Sequence, residues 1–192
     1  WTYFANDIAY HYNKYKRGFK NLINIWGADH GGYVKRLKAA IQCMTQDQAH
    51  LHVHLCQMVR FLDEGMALKM SKRQGVFVTV SEAIHKVGRD ALRFLMVWRK
   101  NDAPMDFDFQ KAIEASKDNP VFYVQYAHAR ICSVKRHAAS LFGTFEEKPD
   151  LTWLDDDDRH LIKTLALWPR ILETSARTQE PHRVAYYMYD VA

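Results

Sequence analysis

The sequence predicts an α/β segment followed by an all-α one. Two textures of hydrophobic patterning carry that expectation, and a basic, glycine-ended stretch marks the change between them. Leu22-Ile-Asn-Ile-Trp26 is a short apolar run ending at Gly27, the pattern of a buried strand. Gly27-Ala-Asp-His-Gly-Gly32 then turns the chain, and Tyr33, Leu37, Ala40, Ile41 and Met44 follow at helical spacing. Leu51, Val53 and Leu55 next alternate with His52, His54 and Cys56 at the period of a strand. Strand, crossover helix and strand form the unit of an α/β sheet, whose ligands bind beyond the C-terminal strand ends. Gly27 to Gly32 lies in such a position. Val59-Arg-Phe-Leu62 and Ala67-Leu68 flank Asp63-Glu-Gly65 as a hairpin.

After the basic stretch the expected elements are all helical. Thr79-x-x-Glu82 is a capping box and Gly88 a C-terminal cap. Asp90 can cap the next helix, which carries Leu92, Phe94, Leu95 and Trp98. Asn119-Pro120 supplies a cap and a first-turn proline for a helix through about Ser140, with Val124, Ala127, Ile131 and Val134 as its apolar stripe. The run Asp155 to Asp158 favours a helix N-terminus, followed by a stripe of Leu161, Leu165, Trp168 and Leu172 that Pro169 should kink. Glu180-Pro181 opens the last helix.

The 192 residues allow one large or two small domains. Hydrophobic and charged contents of 48% and 26% are those of an ordinary globular chain. A net charge of +5 is a mild bias toward polyanions, too small to imply nucleic acid by itself. Cys43, Cys56 and Cys132 are odd in number and far apart, which points to a reducing compartment rather than a disulfide framework or zinc cluster. No apolar run approaches the roughly 18 residues needed to cross a bilayer, so no membrane partner is expected. The chain opens on Trp1 and stops inside an amphipathic pattern, as a piece of a longer protein would.

Lys69-Met-Ser-Lys72, followed by Arg73-Gln-Gly75, places three cations and a hydroxyl on one short segment. Ammonium and guanidinium groups suit a transient grip on a polyphosphate. A solvated basic turn is the plainer alternative, yet this tetrapeptide should occur by chance in roughly one chain of this length per thousand. Tyr3 and Asp7 stand four apart, on one face if helical, where phenol and carboxylate could receive a cationic group. A helix-start Asp and a surface Tyr explain the same spacing. His52, His54 and Cys56 share a strand face but lack an obvious fourth ligand, so no metal is assigned. Phe122, Tyr126 and Arg130 form an aromatic and basic helical ridge, able to stack bases or to pack on a helix.

Read together, these residues resemble a bacterial-type arginyl-tRNA synthetase, a class I aminoacyl-tRNA synthetase. Thr2-Tyr-Phe-Ala-Asn-Asp-Ile-Ala9, Gly27-Ala-Asp-His30, Lys69-Met-Ser-Lys72, Val87-Gly-Arg-Asp-Ala-Leu-Arg-Phe94 and Asp118-Asn-Pro-Val-Phe-Tyr-Val-Gln-Tyr-Ala-His-Ala-Arg130 occur in that family's order. Asp90-Ala-Leu-Arg93 spells the motif that names its anticodon-binding domain. The resemblance implies the last portion of a Rossmann-like catalytic domain over residues 1–80, joined over 81–192 to a helical anticodon-binding bundle truncated at its C-terminus. It implies ATP-dependent ligation of L-arginine to tRNA(Arg) through arginyl-adenylate, with Mg2+, in the cytoplasm and as a monomer. Tyr3, Asp7 and His30 are the implied arginine contacts, and His30 stands where the family often has Gln. Lys69, Met70, Ser71, Lys72 and His30 are implied in ATP binding, Lys69 and Lys72 as the catalytic cations. Asn119, Tyr123, Tyr126 and Arg130 are implied to face tRNA.

Three departures accompany the resemblance. The family's His-x-Gly-His signature and the sequence before it are absent, so the chain alone is expected to be inactive. A C-terminal extension beyond Ala192 that helps complete the anticodon domain is absent too. Val76 replaces a common Asn after the loop glycine. A cysteinyl synthetase, distinguishable by bound zinc, and a stand-alone RNA-binding module are the competing readings.

Overall fold

The computed structural model describes residues 2–70, 77–143 and 150–192. The chain divides into two compact units, Trp1–Arg60 with Asn101–Asp106, and Phe61–Lys100 with Phe107–Ala192.

The first unit is built on a strand–helix–strand crossover. Strands β1 (Asn21–Gly27) and β2 (His50–Cys56) pair in parallel, with Leu22 opposite Leu51 and Asn24 opposite Val53. Helix α2 (Val34–Thr45) connects them and buries Leu37, Ile41 and Thr45, as its apolar spacing requires. Leu22, Leu37, Ile41, Ala49 and Leu51 form the core. Helix α1 (Tyr3–Lys16) adds Phe4, Ile8 and Tyr15 to that cluster. Each fully buried leucine or isoleucine here contributes on the order of 1.5–3 kcal/mol by leaving water. The opposite face of β1 leaves Ile23 and Ile25 exposed, the alternation a strand imposes. Between β1 and α2 the expected turn is a 3-10 helix, Ala28–Tyr33. At its start Gly27 leaves room for the Asp29 carboxylate, which lies 2.6 Å from where a Cβ would stand and would have to turn aside for a larger residue.

In the second unit the hairpin forms as its sequence demands. Leu62 pairs with Ala67 and Asp63 with Met66 across the turn between β3 (Val59–Asp63) and β4 (Met66–Ala67). Glu64 and Gly65 both take positive φ, 51° and 77°, the signature of a two-residue hairpin turn. A strand that the sequence pattern did not disclose, β5 (Met105–Asp108), joins the sheet in the order β4-β3-β5. Four residues are too few to display a period. The stretch after the basic loop is therefore not wholly helical. Phe61, Phe107 and Phe109 pack there with ring centroids 5.4–5.7 Å apart.

Helices α3 (Val80–Val87) and α4 (Arg89–Trp98) meet at Gly88, whose φ of 82° ends one and starts the other. Gly88, not Asp90, is thus the cap of α4, and Asp90 lies inside the first turn beside Arg89. Helices α5 (Phe109–Ile113), α6 (Pro120–Phe142), α7 (Asp156–Ala166), α8 (Trp168–Thr178) and α9 (His182–Val191) follow. Helix α9 packs against α4, α6, α7 and α8. Pro169 does more than kink a helix: α7 stops at Ala166 and α8 restarts at Trp168. Proline lacks the N–H and its ring would collide with the carbonyl four residues back. The stripe expected on α6 is covered only at its start, since Ile131 and Val134 are exposed. Among the described residues no helix is long and apolar enough to cross a membrane.

Candidate functional site

Helix α1 brings Tyr3 and Asp7 one turn apart on the same face, and both are exposed. The Asp7 carbonyl accepts a 2.6 Å hydrogen bond from His11 Nδ1. His11 Nε2 in turn accepts from the Asn24 amide at 2.8 Å, and both of these side chains are buried. His30 sits in the 3-10 turn after β1 with its ring 6.1 Å from Trp26, and its Nε2 lies 3.6 Å from the Asp29 carboxylate. The start of α1 reaches the end of this turn through Phe4, whose ring lies 5.6 Å from that of Tyr33.

In the second unit Leu68 N–H donates to the Phe61 carbonyl at 2.9 Å, the last ladder bond before Lys69 and Met70, which are exposed. Ser71 and Lys72 lie outside the described residues. Two carboxylates clasp the hairpin that precedes this segment in sequence. Asp108 accepts from the Gly65 and Gln110 backbone amides, each at 2.9 Å, which fixes the hairpin turn to the start of α5. Asp63 accepts from Lys86 at 3.1 Å and from Gln110 at 3.3 Å. Those hydrogen bonds, Lys86's first, hold the Asp63 carboxyl below its usual range. Sequence reading passed over Asp108, although Asp followed by a short helix is a cap signal.

Helix α6 presents the remaining candidates. Asn119 is buried: its Oδ1 accepts from Val121 N–H at 3.1 Å, and its amide donates to the carbonyls of Lys111, Ala112 and Glu114 at 2.9–3.3 Å. Its side chain thus faces inward and holds two helix ends. Tyr123 packs on Tyr189 at 4.9 Å, within an aromatic cluster that includes Trp98 and Tyr186. Tyr126 is exposed and stacks on Phe122 at 5.9 Å, and exposed Arg130 continues the same face. Arg130, Ser133, Val134, His137 and Leu141 line an open groove of about 490 Å³ along α6. Stacked rings beside a guanidinium form a surface suited to unpaired bases and phosphate. Among the described residues no three His, Cys, Asp or Glu side chains gather to hold a metal ion.

Residues 124–192 match the model of the DALR anticodon binding domain. All of the chain aligns with the arginine–tRNA ligase of Rhodospirillum rubrum at 53% identity and with that of Azorhizobium caulinodans at 52%, covering 34% of each. The chain is similar to arginyl-tRNA synthetases along its whole length. It spans about a third of the length of the curated relatives it matches. A crystal structure assigned as an arginyl-tRNA synthetase of Campylobacter jejuni superimposes with a TM-score of 0.86 and 34% identity, covering 99% of this chain and 41% of that one. The Thermus thermophilus arginyl-tRNA synthetase shares the fold at a TM-score of 0.65 and 24% identity, over 90% of this chain and 32% of that one. The likeness to arginyl-tRNA synthetases thus spans both units, whereas the domain model reaches only the C-terminal helices.

Proposed function

We propose that the protein carrying this chain ligates L-arginine to tRNA(Arg), and that residues 1–80 close its catalytic domain while residues 81–192 read tRNA. The observation that supports this most is alignment at about half identity along all residues to arginine–tRNA ligases, in a chain that retains Lys69-Met-Ser-Lys72.

The reaction has two steps. The arginine carboxylate attacks the α-phosphorus of ATP, a bond to pyrophosphate breaks, and arginyl-adenylate forms. A ribose hydroxyl of the terminal tRNA adenosine then attacks the arginyl carbonyl and AMP leaves. Neither step needs a nucleophile from the protein, so orientation and electrostatics supply the rate. Asp7 receives the guanidinium in a two-pronged, charge-assisted contact that lysine's point charge cannot reproduce, with Tyr3 and His30 completing the pocket. Lys69 and Lys72 neutralise charge developing on pyrophosphate, while Met70, Ser71 and His30 border the nucleotide.

Mg2+ would accompany the phosphates of ATP. Tyr126 and Arg130 stack and pair with the tRNA, and Tyr123 and Asn119 set the helix that presents them. The protein works as a monomer in the cytoplasm. Charging of tRNA(Arg) by the intact protein tests the proposal: transfer of radiolabelled arginine is expected, and transfer of a different amino acid would overturn it.

A further inference from the structure

The inward stripe of α1 runs Phe4, Ile8, His11 and Tyr15, so a histidine stands where spacing calls for an apolar residue. It is no surface residue, at 4% exposure, and its partner Asn24 on β1 is 8% exposed. The Asp7 carbonyl can only accept, so His11 Nδ1 carries the hydrogen and Nε2 accepts from the Asn24 amide. Two leucines could fill this place by burial alone. They would leave the helix free to roll, because dispersion contacts have little direction, whereas a hydrogen bond weakens steeply when bent.

The bond joins two pieces of the proposed pocket. Asp7 lies one turn before His11 on α1, and Asn24 lies three residues before Gly27, where β1 gives way to the turn bearing His30. Tyr15 fixes the far end of α1 through its hydroxyl's 2.6 Å bond to Gln48. Near Asp7 the His11–Asn24 bond is the corresponding peg.

We propose that His11 is a positioning residue for arginine recognition, which by bonding Asn24 sets the roll of α1 and hence the direction of the Asp7 carboxylate. This rests on the reading that Asp7 receives the substrate guanidinium. His11 itself touches no substrate. Its effect falls mainly on arginine binding, because Lys69 and Lys72, the cations proposed to grip the ATP phosphates, lie on a different segment.

ATP–pyrophosphate exchange by the intact enzyme, with arginine and ATP varied separately, tests it. His11→Leu should raise the arginine KM about tenfold and leave the ATP KM within about twofold, since small misplacements of a positioned group have effects of at least this size. His11→Gln places an amide where Nε2 stood and should restore the arginine KM to within about threefold, whereas His11→Asn reproduces only the Nδ1 position and should not. Should His11→Leu fail to fold, the Gln and Asn pair decides. Equal arginine KM values in those two, or a parallel rise for arginine and ATP, overturns the inference. Asp7→Asn measured alongside separates the two claims. If Asp7→Asn leaves the arginine KM unchanged, the pocket reading itself fails. If it raises that KM while folded His11→Leu does not, only the positioning role fails.

Discussion

Asn119 and Asp7 illustrate two ways a polar side chain serves this molecule. Asn119 turns inward, and its amide satisfies carbonyls at the end of α5 while its oxygen caps α6. Asn119→Ala should lower unfolding stability by about 2 kcal/mol, read by denaturant titration of the intact protein, because it removes a cap and strands buried carbonyls. Asp7 turns outward, with its carboxylate exposed. Asp7→Asn keeps the shape, removes the charge, and should raise the arginine KM by about tenfold or more in pyrophosphate exchange. The cap at Asn119 was legible, since Asn-Pro before an apolar run has one ordinary meaning. Its three carbonyl acceptors were not, because Lys111, Ala112 and Glu114 lie just upstream across a turn whose path no periodic pattern reveals. His11 was hidden likewise: a histidine in a helical stripe reads the same whether it is bonded or merely tolerated.

Among the elements, the hairpin and the helices around it form one clasp. Lys86 on α3 reaches Asp63 on β3, and Asp108 ties the hairpin turn to α5. Asp63 has a folded-state pKa below its ordinary value, so its contribution is fully present above about pH 4 and is lost as pH falls through the lower folded value. Asp63→Asn should therefore flatten the acid side of the thermal-midpoint profile and leave its slope near neutrality unchanged. Gly88→Ala forces a side chain into a backbone at φ 82° and should cost about 1 kcal/mol or more, visible as a lowered unfolding midpoint. Local chemistry foretold most of these elements: β1, α2, β2, the hairpin, the Thr79 box and a helix start at the Asp155 to Asp158 run. It missed β5, which is too short to show a period, and read α7 and α8 as one kinked helix because both share a single apolar stripe. Amphipathic spacing also says nothing about coverage, which is why Ile131 and Val134 look like core in sequence and lie exposed in the fold.

Over the whole molecule, the proposal assigns one part of the chain to amino-acid activation and the helices to RNA. If Arg130 pairs with a phosphate, Arg130→Ala should weaken tRNA binding and shrink the slope of log affinity against log salt by about 0.7–1, as loss of one phosphate contact does. The chemistry of the first part was legible only through Lys69-Met-Ser-Lys72 and its neighbours in order. Burial and distance then added what no motif carries, the clasp that ties the hairpin to α3 and α5 and the peg one turn from Asp7. The most direct test is ATP–pyrophosphate exchange by the intact protein with each amino acid supplied in turn, in the presence of tRNA. Arginine alone should support exchange, and Lys69→Ala should slow it about a hundredfold with the arginine KM little changed. Exchange supported by another amino acid, or arginine-dependent exchange indifferent to Lys69→Ala, would contradict the assignment.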